Sequence, residues 1–240
     1  MSHPTTNFME KYMTPIAVLL GAVIIAFALA FGHGAMTGNT GAAGGQQPAG
    51  AADVSKIITK DEPFIGPANA PVTMAVYFDY QCPFCKQFDQ QTLPQIIDKY
   101  EKTGKVKIYF KDFQFLGSDS TAGAEFGRAV WALYPDQYYP WLTAMFAAQD
   151  AEGDQGFGDQ ESIIAMTKAQ VPGVDTAKTV AYIQANQSAI DAAISADRAE
   201  GASMGINGTP SIVVGKKLFY ALSPADFTSQ ITAEIEAELK

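Results

Sequence analysis

The two cysteines of this 240-residue chain stand three apart, as Cys82-Pro83-Phe84-Cys85. A pair so close on one turn can close on itself and reopen, which is dithiol–disulfide redox chemistry. The flanking residues favour it. Val72-Thr73-Met74-Ala75-Val76-Tyr77-Phe78 reads as a buried strand, rich in β-branched and aromatic residues. From Lys86 to Tyr100, Phe88, Leu93, Ile96 and Ile97 recur at roughly helical spacing. Cys82 therefore falls at a strand-to-helix junction, where free backbone N–H groups and the helix dipole stabilise an anion. Pro83 suits the first helical position, having no N–H to leave unpaired. A thiol in such a place is biased toward the thiolate that attacks disulfides.

Two other readings of the pair are weaker. A zinc site needs more ligands, and the only histidines are His3 and His33, both close to the N-terminus. The rest of the chain has no histidine, which also removes Cys–His nucleophilic catalysis. A purely structural disulfide would close a very short loop, where the chain-entropy argument gives least stabilisation.

The formal charge of −9 argues against nucleic acid as a partner, since phosphate binding needs a basic face. The length suits one domain with appendages. Pro15 to Phe31 is an uncharged apolar run at the short end of what spans a bilayer as a helix. A cleaved signal peptide is the rival, with Ala28-Leu29-Ala30 as a small-residue site. Glu10 beside Lys11 and the length of the run favour an uncleaved anchor over residues 15–32. No Lys or Arg follows the run until Lys56, so the positive-inside rule places residues 1–14 in the cytoplasm and the bulk of the chain outside. Disulfides form and persist outside the cytoplasm. Residues 33–53, rich in Gly, Ala, Gln and Thr, read as a flexible linker with a reach of about 25 Å.

The remaining domain, 54–240, opens on Ile57-Ile58-Thr59 and Phe64-Ile65 as a short strand or hairpin. A β-α-β unit follows: Val72–Phe78, the helix from Cys82, which Pro94 should kink or break, and Val106–Phe113. Residues 119–204 read as helices: Ala122–Leu133, Gln137–Gln149, Gln160–Ala169 and Thr176–Ala202. Trp131, Tyr138, Tyr139 and Trp141 read better as core than as a peptide-binding face. Asp150–Gly158 lacks EF-hand spacing and reads as a solvated turn. Ser211–Val214 and Leu218–Tyr220 form a hairpin around Gly215-Lys216-Lys217. Ser223-Pro224 caps a last helix, Ala225–Leu239.

This order resembles the DsbA-like branch of the thioredoxin superfamily over about residues 60–240. The match is carried by Ala70-Pro71-Val72-Thr73, Phe78-Asp79-Tyr80-Gln81-Cys82-Pro83-Phe84-Cys85-Lys86, Phe110-Lys111-Asp112-Phe113 and Gly208-Thr209-Pro210. The resemblance implies an α/β thioredoxin fold, with a helical insertion between the β-α-β unit and the cis-proline hairpin. It implies that Cys82 is the exposed nucleophile, that Cys85 is the buried resolving thiol, and that a cis Thr209–Pro210 bond faces them. Pro83, Phe84 and Thr209 would then border the bound substrate. Two departures stand out. Phe84 lies where DsbA has histidine, which should make the site less oxidising. Val76 lies where thioredoxins carry a buried acid. Asp79 is nearer the motif and could assist proton transfer, but an acid at a strand end is more often simply solvated.

The expected activity is thiol–disulfide exchange outside the cytoplasm, introducing disulfides into exported cysteine-containing proteins. No cofactor is implied. Turnover needs a membrane redox partner, a quinone-linked oxidase or a reductant donor. The alternatives are a reductase or isomerase of the same fold, and a non-catalytic chaperone or binding domain.

Overall fold

The computed structural model describes residues 52–150 and 156–240. The apolar run at 15–32 and nearly all of the linker lie outside them, as do residues 151–155 of the acidic loop. Among the described residues no helix is long and apolar enough to cross a membrane.

A five-stranded sheet carries the fold, in the order β1-β3-β2-β4-β5. The strands are β1 (Phe64–Ile65), β2 (Val72–Phe78), β3 (Val106–Asp112), β4 (Ser211–Val214) and β5 (Lys217–Tyr220). β2 and β3 run parallel, with Val76 opposite Phe110 and Phe78 opposite Asp112. The other neighbours are antiparallel. Parallel strands need a crossover, and the helical run α1 (residues 83–101) supplies it.

Strand alternation divides the core. Met74, Val76, Phe78, Ile108 and Phe110 face α1 and the helices beyond it. Ala75, Tyr77 and Tyr109 face Ala52, Ile57, Met204 and Ile206 on the other side. Four helices fill the chain between β3 and β4: α2 (Ser118–Leu133), α3 (Pro135–Ala148), α4 (Gln160–Gln170) and α5 (Thr176–Ser203). Tyr138 and Trp141 are fully buried, in keeping with the core reading. The last helix, α6 (Pro224–Glu238), begins with Pro224 at its first turn, and the Ser223 side chain accepts from the Asp226 N–H.

Two local expectations are met only in part. The leading segment makes no hairpin. Val54–Lys56 is a 3-10 turn capped by Asp53, and only Phe64–Ile65 joins the sheet. Pro94 coincides with an interruption of the α ladder but does not end α1. A π turn at Phe88–Thr92 precedes it, and Pro94 enters the following α segment, Leu93–Ile96, within its first two positions. Proline is tolerated at such a start, where its missing N–H costs least. The wider π turn resets the ladder just before the ring arrives.

Candidate active site

Cys82 is the N-cap of α1, with extended backbone, and Pro83 opens the helix. The β2 end therefore delivers the first cysteine to the positive end of a helix. The backbone N–H groups of Phe84 and Cys85 lie near the Cys82 sulfur and favour its thiolate, while the Cys85 N–H also donates to the Cys82 carbonyl at 3.0 Å. The Cys85 thiol donates to it as well, and the Cys82 thiol reaches the Thr209 carbonyl at 3.3 Å. Donation by Cys85 is the largest influence and outweighs burial, so the Cys82 thiol drops to about 6. Cys85 lies a turn inside the helix. Burial pushes its thiol well above the ordinary value, and its bond to Cys82 and the charge there push the same way. Both cysteines are free thiols here.

The Thr209–Pro210 peptide is cis and lies against the cysteines from the start of β4. Cys82 is only 4% exposed, which corrects the expectation of an exposed sulfur. The loop before β4 comes down over it, and the Thr209 carbonyl accepts its hydrogen bond. Phe84 is the exposed group of the motif, at 63%. It lines a groove of about 600 Å³ with Phe88, Thr209, Pro210, Leu222 and Phe227. The structure thus brings Phe84, Thr209 and Pro210 to one groove. Pro83 is exposed at its helix start and does not line it.

A thioredoxin family profile matches residues 58–233. The chain belongs to the thioredoxin family. Disulfide bond formation protein D of Bacillus subtilis is 30% identical over 191 residues, which cover 75% of this chain and 78% of that protein. The probable disulfide bond formation protein D of Bacillus cereus is 27% identical over 176 residues, 73% of this chain and 78% of the other. Among solved structures, oxidised BdbD from Bacillus subtilis superposes with a TM-score of 0.67 at 25% identity, covering 80% of this chain and 97% of that one. The thiol-disulfide exchange protein alpha-DsbA2 from Wolbachia pipientis gives 0.62 at 26% identity, covering 75% and 87%. This thioredoxin-family member is DsbA-like and a thiol–disulfide oxidoreductase, with a helical insertion in the thioredoxin fold.

Asp79 corrects another expectation. It is fully buried rather than solvated, and its carboxylate is ringed by donors. Oδ1 accepts from the Gln81 N–H at 2.8 Å and from the Ser120 hydroxyl, and Oδ2 from the N–H groups of Phe115 and Leu116 at 2.8 and 3.1 Å. Such a saturated carboxylate is a fastener. It ties the turn before Cys82 to the loop after β3 and to the first turn of α2.

Tyr80, next in the chain, is buried under α2, which approaches so closely only because it presents Gly123 and Gly127. A Cβ on Gly127 would lie 2.4 Å from the Tyr80 oxygen, and one on Gly123 2.8 Å from the ring. Gln149 Nε2 donates to the Tyr80 carbonyl at 3.0 Å, and Gln81 Nε2 to the Phe157 carbonyl at 3.1 Å. Every residue from 79 to 82 is thereby held from outside its own segment.

Sequence reasoning also missed Asp89, a buried acid four residues beyond Cys85. That spacing puts it on the Cys85 face of the helix, and this was the signal available.

Proposed function

We propose that this chain introduces disulfides into exported cysteine-containing proteins, with Cys82 as the attacked sulfur and Cys85 as its buried partner. In the oxidised enzyme a substrate thiolate attacks the Cys82 sulfur. The Cys82–Cys85 bond breaks with its electron pair going to Cys85, and a substrate–Cys82 disulfide forms. A second substrate thiolate then attacks the substrate sulfur of that mixed disulfide. Cys82 leaves as thiolate, the substrate is oxidised, and both enzyme cysteines end reduced. The observation that carries this direction is the Cys82 thiol at about 6, three residues from a Cys85 thiol held far higher. A sulfur stabilised as thiolate is a good leaving group and favours the reduced form, and this makes its disulfide an oxidant.

The groove bordered by Phe84, Thr209 and Pro210 offers an apolar seat for the unfolded segment that presents a substrate cysteine. The uncharged run over residues 15–32 supports a membrane anchor, with residues 1–14 cytoplasmic, residues 33–53 as tether and the redox domain outside. Reoxidation would fall to a quinone-linked membrane oxidase.

Equilibration of the Cys82–Cys85 pair with glutathione tests the direction. We expect a potential above that of the reductant thioredoxin, about −270 mV. A value at or below that level would make the chain a reductant instead. Cys82→Ser should abolish exchange, whereas a chaperone or binding domain would be indifferent to it.

A further inference from the structure

Asp89 sits on the π turn of α1 and is 3% exposed. Among the described residues its one hydrogen-bond neighbour is the Thr143 hydroxyl, 3.5 Å from Oδ1, while Oδ2 has no partner. A carboxyl buried so poorly satisfied is costly and calls for a reason. Asp89 lines a small cavity of about 10 Å³ whose other walls include Cys85, Val76, Phe78, Phe110 and Pro210. That is room for roughly one water-sized sphere. Asp89 and Cys85 are the only titratable side chains on its walls.

We propose that Asp89 is the proton-exchange partner of Cys85. This rests on the redox reading above. When a thiolate attacks Cys82, the electron pair of the broken disulfide appears on Cys85, deep in an apolar site. The Asp89 carboxyl gives its proton to that sulfur and becomes a carboxylate, which is reprotonated from solvent. In the closing direction the carboxylate takes the proton of the Cys85 thiol, and the resulting thiolate attacks the mixed disulfide at Cys82. The number of protons and electrons is conserved at each step.

The titration range suits the task. Burial lifts the Asp89 carboxyl to about 6, with the Thr143 hydroxyl working against the rise. A group in that range gives and takes protons near neutral pH, as general acid–base partners do. The groups facing it are few: Thr143 and Tyr139 from α3, and Cys85 from its own helix. β2 and β3 contribute apolar walls, and the loop before β4 contributes Pro210.

The test measures how fast glutathione opens the Cys82–Cys85 disulfide of the full-length protein, per glutathione thiolate, from pH 4.5 to 8. The wild-type rate should fall as pH rises through about 6 and Asp89 loses its proton. Asp89→Asn should remove that inflection and slow opening at pH 5 by about tenfold or more. Asp89→Glu should restore it. A second measurement needs no variant: the carboxyl titration of Asp89, followed by carbon NMR, should have different midpoints in the oxidised and reduced protein. An Asn variant that keeps the wild-type pH profile, or identical midpoints in the two redox states, would overturn the assignment. A wild-type disulfide that glutathione cannot open would instead overturn the redox reading itself.

Discussion

Beneath the cysteines the walls are Val76, Phe78, Phe110, Leu142 and Phe146, and among the described residues the one acid there, Asp89, has no cation beside it. On the Tyr77 side of the same sheet, Lys111 and Arg128 are buried among Glu62, Asp112, Asp197 and Glu200. Lys111 Nζ lies 2.5 Å from Asp197 Oδ1 and 2.9 Å from the Ile58 carbonyl. Arg128 reaches Asp112 at 2.5 Å, Glu62 at 3.0 Å and Asp197. Tyr77 donates to Glu200 at 2.6 Å. These side chains come from the leading segment, β2, β3, α2 and α5, so this cluster fastens the insertion to the sheet. At the active site charge has to appear and vanish with each turnover, and backbone N–H groups and a lone acid let it do so. In the cluster two permanent cations are ringed by carboxyl groups, which suits a fastener and would trap a redox thiol in one state.

The largest expected effect lies in the cluster. Arg128→Met leaves Glu62, Asp112 and Asp197 buried with one cation fewer, and removing one partner of a buried ion pair typically costs about 3–5 kcal/mol. Urea unfolding of the variant should show that loss, while the Cys82 thiol of the folded fraction keeps its reactivity. A variant as stable as the parent would mean that the carboxylates find other partners, and the contrast between the two regions would lapse.

The next effect is one of sign. Burial raises Glu62 to about 7 and Asp112 to about 6, against the usual carboxylate range. Their folded-state values lie above the unfolded ones. Their contribution to stability is therefore complete below about pH 4 and lost as pH rises through 6 to 7, by at most about 1.4 kcal/mol per pH unit for each group. Asp89, also near 6, adds in the same direction. Cys82 runs the other way. Its folded value is lowered to about 6, so in the reduced protein its contribution is complete above the ordinary thiol range and lost as pH falls through 6. The oxidised protein has no such thiol. Stability curves of the two forms should therefore diverge between pH 6 and 9, the reduced form gaining on the oxidised one. Glu62→Gln should flatten the cluster's share in both forms and leave the divergence untouched. Parallel curves would contradict the asymmetry assigned to Cys82 and Cys85.

The two regions were also unequally legible in the sequence. Cys82-Pro83-Phe84-Cys85 announces itself because its chemistry depends on neighbours: a strand before it, a helix start within it, and two sulfurs three residues apart. The cluster depends on residues from 62 to 200 meeting in space, and Lys111-Asp112 read only as part of a family pattern. Nothing marks its charges as buried, because local sequence carries no sign of which helix will cover them. Asp79 was misread for the same reason, since the donors that bury it belong to residues 115, 116 and 120. The covering of Cys82 by Thr209 joins positions 127 residues apart in the chain. Pro94 is a different case. The rule that proline interrupts a helix is sound, and the π turn at Phe88–Thr92 moved the start of a new segment to meet it.

The smallest expected effect returns to the motif. Phe84 stands where DsbA has histidine, and it offers Cys82 neither a cation nor a side-chain donor. The Cys82 thiol is nevertheless lowered to about 6 by the Cys85 thiol, by the Thr209 side chain and by the N–H groups of Phe84 and Cys85 themselves. Most of the stabilisation is thus built into the turn and does not wait for a charged residue between the sulfurs. Phe84→His should still make the disulfide more oxidising, because a hydrogen bond or positive charge near the sulfur favours the thiolate over the disulfide. At 63% exposure the side chain stands largely in water, where a charge is well screened. The rise in potential should therefore stay within about 30 mV, equivalent to ~1.4 kcal/mol for a two-electron couple. Equilibration of the variant with glutathione measures it directly. A much larger rise would show that the dipeptide, rather than the helix start, governs this site, and a fall would show that Phe84 acts through the groove it lines.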